Sequence, residues 1–314
     1  MTSAPLASPV FRGYLIVLAA LLIVAGSLLV VLRFVLRRNV DHAWKAYCGW
    51  LIMIPLVFVA LYLGREATII FFTLVSIGAF FEFARATGLY RDWPMTTVVF
   101  LGIVSVGVVS LMKDPGTHVN GWYGMLMALP VFVVAGIMMI PILRDRAKGQ
   151  LQLIALAMVG FIYVGWMFLH LAYLANAKNA YGYLLFLLFA VPLNDISAFT
   201  FGRLFGKSKF RPNISPNKTW AGAIGAFVVS MLFPWLVRFS FPEFGTTELI
   251  LAGVIVGIGG QLGDLTMSVI KRDIGIKDMG AVIEGHGGVL DRLDSLIYVA
   301  PLFFHMTRYF IGLT

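Results

Sequence analysis

Cysteine is nearly absent: Cys48 stands alone in 314 residues, so neither an intramolecular disulfide nor a thiolate metal cluster can form within the chain. Charge is scarce as well. Only 12% of residues are charged, against about 25% in an ordinary soluble domain, and this excludes one or more soluble domains of the usual kind. No internal repeat, low-complexity tract or soluble linker interrupts the sequence. What fills it instead is hydrophobic surface, 60% of all residues, gathered into runs of about 20 residues, the length that crosses a bilayer as a helix.

These runs predict an all-α, polytopic membrane protein. Candidate helices cover residues 14–36, 50–63, 67–83, 95–112, 122–143, 151–174, 181–201, 219–239, 249–270 and 293–313. The second is short and contains Pro55, so it is expected to tilt or to merge with the third, which makes the number of spans nine or ten. The first is longer than the roughly 7 to 15 residues of a signal-peptide core and is expected to be retained. Few ionisable residues fall in the first six spans, so residues 1–180 read as scaffold and 181–314 as the catalytic region.

The net charge of +9 is spread over short loops, which points to membrane orientation and anionic lipid, not to nucleic acid. Assigning alternate loops to opposite sides puts 17 of the 24 Lys and Arg on one side and six on the other, with Arg33 inside a span. The richer side is then cytoplasmic, and it carries the two polar loops at 202–218 and 271–292. Nucleotides are found on that side. The compact chain leans towards a bacterial inner membrane.

Polar residues concentrate between Asp264 and Asp294. Asp264, Ser268, Lys271 and Arg272 recur at three- or four-residue spacing and are expected on one helix face, where a carboxylate, a hydroxyl and two cations can hold a metal together with phosphate oxygens. Next come Lys277, Asp278, Gly280, Glu284 and the run Gly285, His286, Gly287 and Gly288, whose glycines let backbone amides approach an anion. Asp291 and Asp294, one helical turn apart, are hard ligands suited to Mg²⁺. His286 has two open roles, holding the loop by a hydrogen bond or touching substrate. Asp195 and Asp264 lie in or beside apolar runs, where a carboxylate needs a partner, a cavity or the membrane surface. In the other loop, Lys218 at a helix start suits an anion, whereas Lys207, Lys209 and Arg211 are explained by topology. Glu82 and Arg85 are expected to pair with each other, and His170 and His305 to be structural.

The series Ser268, Lys271, Arg272, Lys277, Asp278, Gly280, His286, Gly287, Gly288, Asp291, Arg292 and Asp294 resembles the signature of the phosphatidate cytidylyltransferases, or CDP-diacylglycerol synthases. Asp195, Ala198, Gly202 and Gly206, and the run from Ser215 through Pro216, Asn217, Lys218 and Thr219 to Trp220, are similar to the same family. Together they cover about the last two fifths of the chain. Ala221 and Met267 stand where the family usually has Glu, and Glu284 replaces a Pro, Gly or Ser, the mark of a divergent branch.

The resemblance implies CTP and phosphatidate as substrates, CDP-diacylglycerol and pyrophosphate as products, Mg²⁺ as cofactor and K⁺ as a second candidate cation. It implies Asp264 and Asp291 as metal ligands, with Asp195 and Asp294 as further candidates. Lys218, Lys271 and Arg272 would neutralise phosphate oxygens. Ser215, Asn217, Ser268, Lys277, Arg292 and the Gly285–His286–Gly287–Gly288 turn would line the substrate, and a homodimer is a candidate assembly. The competing expectations are a CTP-dependent lipid kinase, a cytidylyltransferase for another lipid phosphate, and an ion-coupled transporter.

Overall fold

A computed structural model describes residues 5–37, 40–280 and 288–312. Ten helices account for nearly all of it: α1 Pro9–Val35, α2 Asp41–Tyr62, α3 Arg65–Thr87, α4 Trp93–Leu111, α5 Tyr123–Leu143, α6 Gln150–Leu174, α7 Ala180–Phe205, α8 Trp220–Leu236, α9 Thr246–Asp273 and α10 Leu290–Phe310. Among the described residues, eight helices, α1 to α7 and α9, are long and apolar enough to cross a membrane, and α8 is a shorter apolar helix of 17 residues. The chain is an all-α polytopic membrane protein. α10 is set apart by composition, since Asp291, Arg292, Asp294 and Arg308 lie along it.

Two local expectations change. The second helix is neither short nor fused to its neighbour: α2 runs 22 residues through Pro55, because the helix begins at Asp41, outside the apolar stretch that marked it in the sequence. Residues 202–218 hold a small hairpin, β1 Lys209–Arg211 paired antiparallel with β2 Ser215–Thr219, with Lys209 opposite Thr219 and Arg211 opposite Ser215. Strands this short leave no periodic signal in sequence.

Glycine sets how closely the helices approach, as expected where lipid tails compete equally for apolar side chains and close backbone contact is what remains. A Cβ added at Gly263 of α9 would lie 2.8 Å from Ser295 Cα on α10, and one at Gly259 would lie 3.3 Å from Val299. In α6 the segment Gly160–Met167 is a π-helix, and the Val164 carbonyl accepts a hydrogen bond from Ser76 Oγ of α3 at 3.1 Å. The outer helix α1 fully buries only Val10, Phe11 and Tyr14 and leaves most of its remaining apolar surface exposed.

At one end of the bundle, Arg144 Nη1 holds both oxygens of Asp92, at 2.6 and 2.9 Å. At the end reached by the Tyr183 terminus of α7, Tyr183 donates its hydroxyl proton to Glu243 and stacks with Phe241 and Phe244.

Candidate active site

The hairpin delivers Lys218 to the bundle. Thr219 ends β2 and caps α8, its Oγ1 accepting from Gly222 N at 3.2 Å. The cap sits where α7 crosses α8: a Cβ at Gly222 would fall 3.2 Å from Gly202 Cα, and one at Gly202 would fall 3.1 Å from Thr219 Oγ1. The side chain of Lys218, one residue earlier, then places Nζ 2.5 Å from Asp264 Oδ2 on α9. Ser268, one turn on, donates to Asp264 Oδ1 at 3.2 Å.

Two turns beyond Asp264, Lys271 Nζ lies 2.9 Å from Asp291 Oδ1 on α10, and the two side chains are 11% and 7% exposed. The expected stripe therefore holds for Asp264, Ser268 and Lys271. It does not extend to Arg272. Eight residues at 3.6 per turn put Arg272 roughly 80° from Asp264 around the helix, and its exposed guanidinium instead donates to the carbonyls of Ile214, at 3.4 Å, and Ile276, at 3.0 Å. It ties the hairpin to the end of α9.

Asp291 is the most heavily bonded carboxylate of the site. Besides Lys271, it accepts at Oδ2 from Met279 N at 2.8 Å and Gly288 N at 3.1 Å. The Gly288 amide, expected to face substrate, is thus turned inward to Asp291. Asp294 is buried and accepts from Ser295 N at 2.7 Å. Ser295 Oγ also approaches Asp195 Oδ1 at 3.5 Å, so α7, α9 and α10 all contribute carboxylates to one region. Asp195 shares an electrostatic field with Asp294, Asp264 and Lys218. Ser215 is half-buried in β2, while Asn217, Lys277 and Arg292 are exposed. Glu284, Gly285, His286 and Gly287 lie outside the described residues.

Two participants come from the half read as scaffold. Glu82 of α3 does not find its partners in Arg85: its Oε1 accepts from Val289 N and its Oε2 from Leu290 N, each at 2.9 Å. Arg85 lies over the Phe81 ring, 5.7 Å from its centroid. Tyr163, in the π-helical segment, approaches the carbonyls of Gly263 at 3.4 Å and Asp294 at 3.5 Å. Neither has a local sequence signal, because every partner is at least 100 residues away.

Among the described residues, no group of three or more His, Cys, Asp or Glu is gathered as a ready metal cluster. The donor set still suits Mg²⁺, which is commonly held by one or two carboxylates together with substrate phosphates. Asp264 and Asp291 each hold a lysine ammonium at contact distance, 2.5 and 2.9 Å, so both carboxylates are already disposed to take a cation.

The cytidylyltransferase family matches residues 44–310. The chain belongs to this family. It is 37% identical over 173 residues to the uncharacterized protein YnbB of Escherichia coli K12, covering 54% of this chain and 58% of that one. It is 35% identical over 216 residues to a phosphatidate cytidylyltransferase of Staphylococcus saprophyticus, 66% of this chain and 80% of the relative. With the Staphylococcus haemolyticus phosphatidate cytidylyltransferase it shares 39% identity over 161 residues, 51% of this chain and 60% of the relative. As a cytidylyltransferase, the protein is a nucleotidyltransferase, and phospholipid synthesis is the setting its membrane helices and relatives fit.

Proposed function

We propose that this cytidylyltransferase makes CDP-diacylglycerol and pyrophosphate from CTP and phosphatidate, with Mg²⁺, at the cytoplasmic face of a bacterial inner membrane. The observation that carries the reading is the pair of lysine–aspartate contacts, Lys218 with Asp264 and Lys271 with Asp291, set side by side where the hairpin meets the facing ends of α9 and α10. The relatives named as phosphatidate cytidylyltransferases support the substrate. The excess of Lys and Arg in the loops at this end supports the side.

A phosphatidate oxygen attacks the α-phosphorus of CTP, the bond between that phosphorus and the bridging oxygen to the β-phosphorus breaks, and pyrophosphate leaves with the electron pair. The attacking phosphate monoester is largely dianionic near pH 7 and needs no protein base. Orientation and charge neutralisation are then what the protein supplies. Lys218 and Lys271 neutralise phosphate oxygens, and Ser268 fixes the rotamer of Asp264. Asp264 and Asp291 would hold Mg²⁺, with Asp294 and Asp195 beside them, and the ion would offset charge on the triphosphate.

The test is purified protein in lipid nanodiscs with labelled CTP, Mg²⁺ and phosphatidate. Pyrophosphate and a CDP-lipid are expected. CDP released together with phosphorylation of a lipid alcohol would replace this reading with a lipid kinase, and no CTP-dependent product from any lipid would remove it.

A further inference from the structure

The geometry points to Glu82 as a positioning residue for Asp291, an inference that rests on the reaction proposed above. α10 starts without a capping side chain of its own: Val289, at the cap position, is in helical conformation and offers none. The first amides of a helix need acceptors, and here both come from α3. Glu82 takes Val289 N and Leu290 N on separate oxygens, each at 2.9 Å, while Asp291 turns back to take Gly288 N and Met279 N. One carboxylate thus fixes the helix start from outside and the next fixes it from within.

Space around Glu82 is as restricted as its bonding. A Cβ at Gly280 would lie 2.6 Å from Glu82 Oε1, and one at Gly288 would press on Glu82 and lie 2.8 Å from Gly280 N. Both glycines are needed for lack of room. Glu82 is 6% exposed, and a carboxylate at a helix N-terminus is favoured by the helix dipole. The same two amides are consequently not open to a substrate phosphate. The role of Glu82 is to set where α10 begins, and with it the distance from Asp291 to Lys271.

The experiment compares Glu82→Gln and Glu82→Ala with Arg144→Gln, a control that breaks the bridge to Asp92, whose hydrogen bonds reach none of the site residues. Turnover is scaled to folded protein, and amide hydrogen exchange is followed at residues 288–291. Gln keeps one acceptor and opposes an NH₂ group to the other amide, so kcat is expected to fall roughly 10-fold in Glu82→Gln and roughly 100-fold in Glu82→Ala. KM for CTP should stay within about threefold of wild type, and exchange at Val289 and Leu290 should accelerate in both variants. Arg144→Gln should lower the melting temperature and leave kcat per folded molecule unchanged. Unchanged exchange or unchanged kcat in Glu82→Gln overturns the proposal, as does an equal loss of kcat in Arg144→Gln. If Glu82→Ala fails to fold, Glu82→Gln decides. A wild-type protein that releases no pyrophosphate removes the proposed reaction instead, and the anchoring of α10 is then decided by exchange, slow in wild type and faster in the variants or not.

Discussion

Lys271 Nζ and Asp291 Oδ1 stand 2.9 Å apart, joining the end of α9 to the start of α10 over a separation of 20 residues. Both side chains are nearly covered by protein, so removing one leaves the other's charge without its partner. Lys271→Met and Asp291→Asn are each expected to destabilise the fold by about 3 to 5 kcal/mol. The double variant should be less destabilised than the sum of the two, read as melting temperatures in one detergent. Turnover should be lost in all three. Strict additivity would show that the contact carries no coupling energy.

Lys218 and Asp264 give a second, more accessible pair, 24% and 30% exposed, and its breakage should affect chemistry more than stability. Lys218→Met is expected to lower kcat/KM for CTP by roughly 10²-fold, the usual effect of removing one charge-stabilising group, with a melting temperature close to wild type. Asp264→Asn should abolish turnover while the protein remains in the membrane fraction. Retained turnover in Asp264→Asn would displace this carboxylate from the site.

Arg272 provides the contrast with its neighbour. Its bonds are to the backbone carbonyls of Ile214 and Ile276 on an exposed surface, so Arg272→Ala should cost less than about 1 kcal/mol of stability. Its effect on kcat should be far smaller than that of Lys271→Met. A loss matching Lys271→Met in a pyrophosphate-release assay would mean that the guanidinium meets substrate directly.

Much of this was legible in the sequence, and the limits have physical causes. Runs of apolar residues marked the spans because a bilayer imposes a length. The spacing of Asp264, Ser268 and Lys271 marked the site face because helical periodicity is local. That periodicity also separates Arg272 from the face, by an angle that a rule of three or four does not resolve. The short run around Pro55 predicts a tilted or merged span, yet α2 passes through the proline over 22 residues, since neighbouring helices can accommodate the lost hydrogen bond in a membrane. Glu82 could not be read at all as an anchor. The amides it serves belong to residues 207 and 208 positions away, and a glutamate near the end of a span has a nearer, simpler partner in Arg85.

The contact of α9 with α10 yields a further prediction. A Cβ at Gly263 would lie 2.5 Å from Asp294 O and 2.8 Å from Ser295 Cα, so Gly263→Val must push the helices apart. Overpacking of this kind is expected to cost about 1 to 3 kcal/mol and to reduce kcat, since Asp264 follows directly on the same helix. Gly78, inside α3 and with nothing within 4 Å of its Cβ position, is a comparison without that crowding. A Gly263→Val variant with wild-type melting temperature and turnover would show that the seam can yield.

The same seam bears on how the protein meets membranes of different composition. Spanning helices answer a thinner or thicker hydrocarbon layer by tilting, and helices that touch only through side chains can tilt independently. At Gly263 even a Cβ would press on the α10 backbone, so a tilt of α9 in a thinner or thicker bilayer is expected to carry α10 with it. The spacing between Asp264 and Asp291 is then expected to change little with the thickness of the surrounding bilayer.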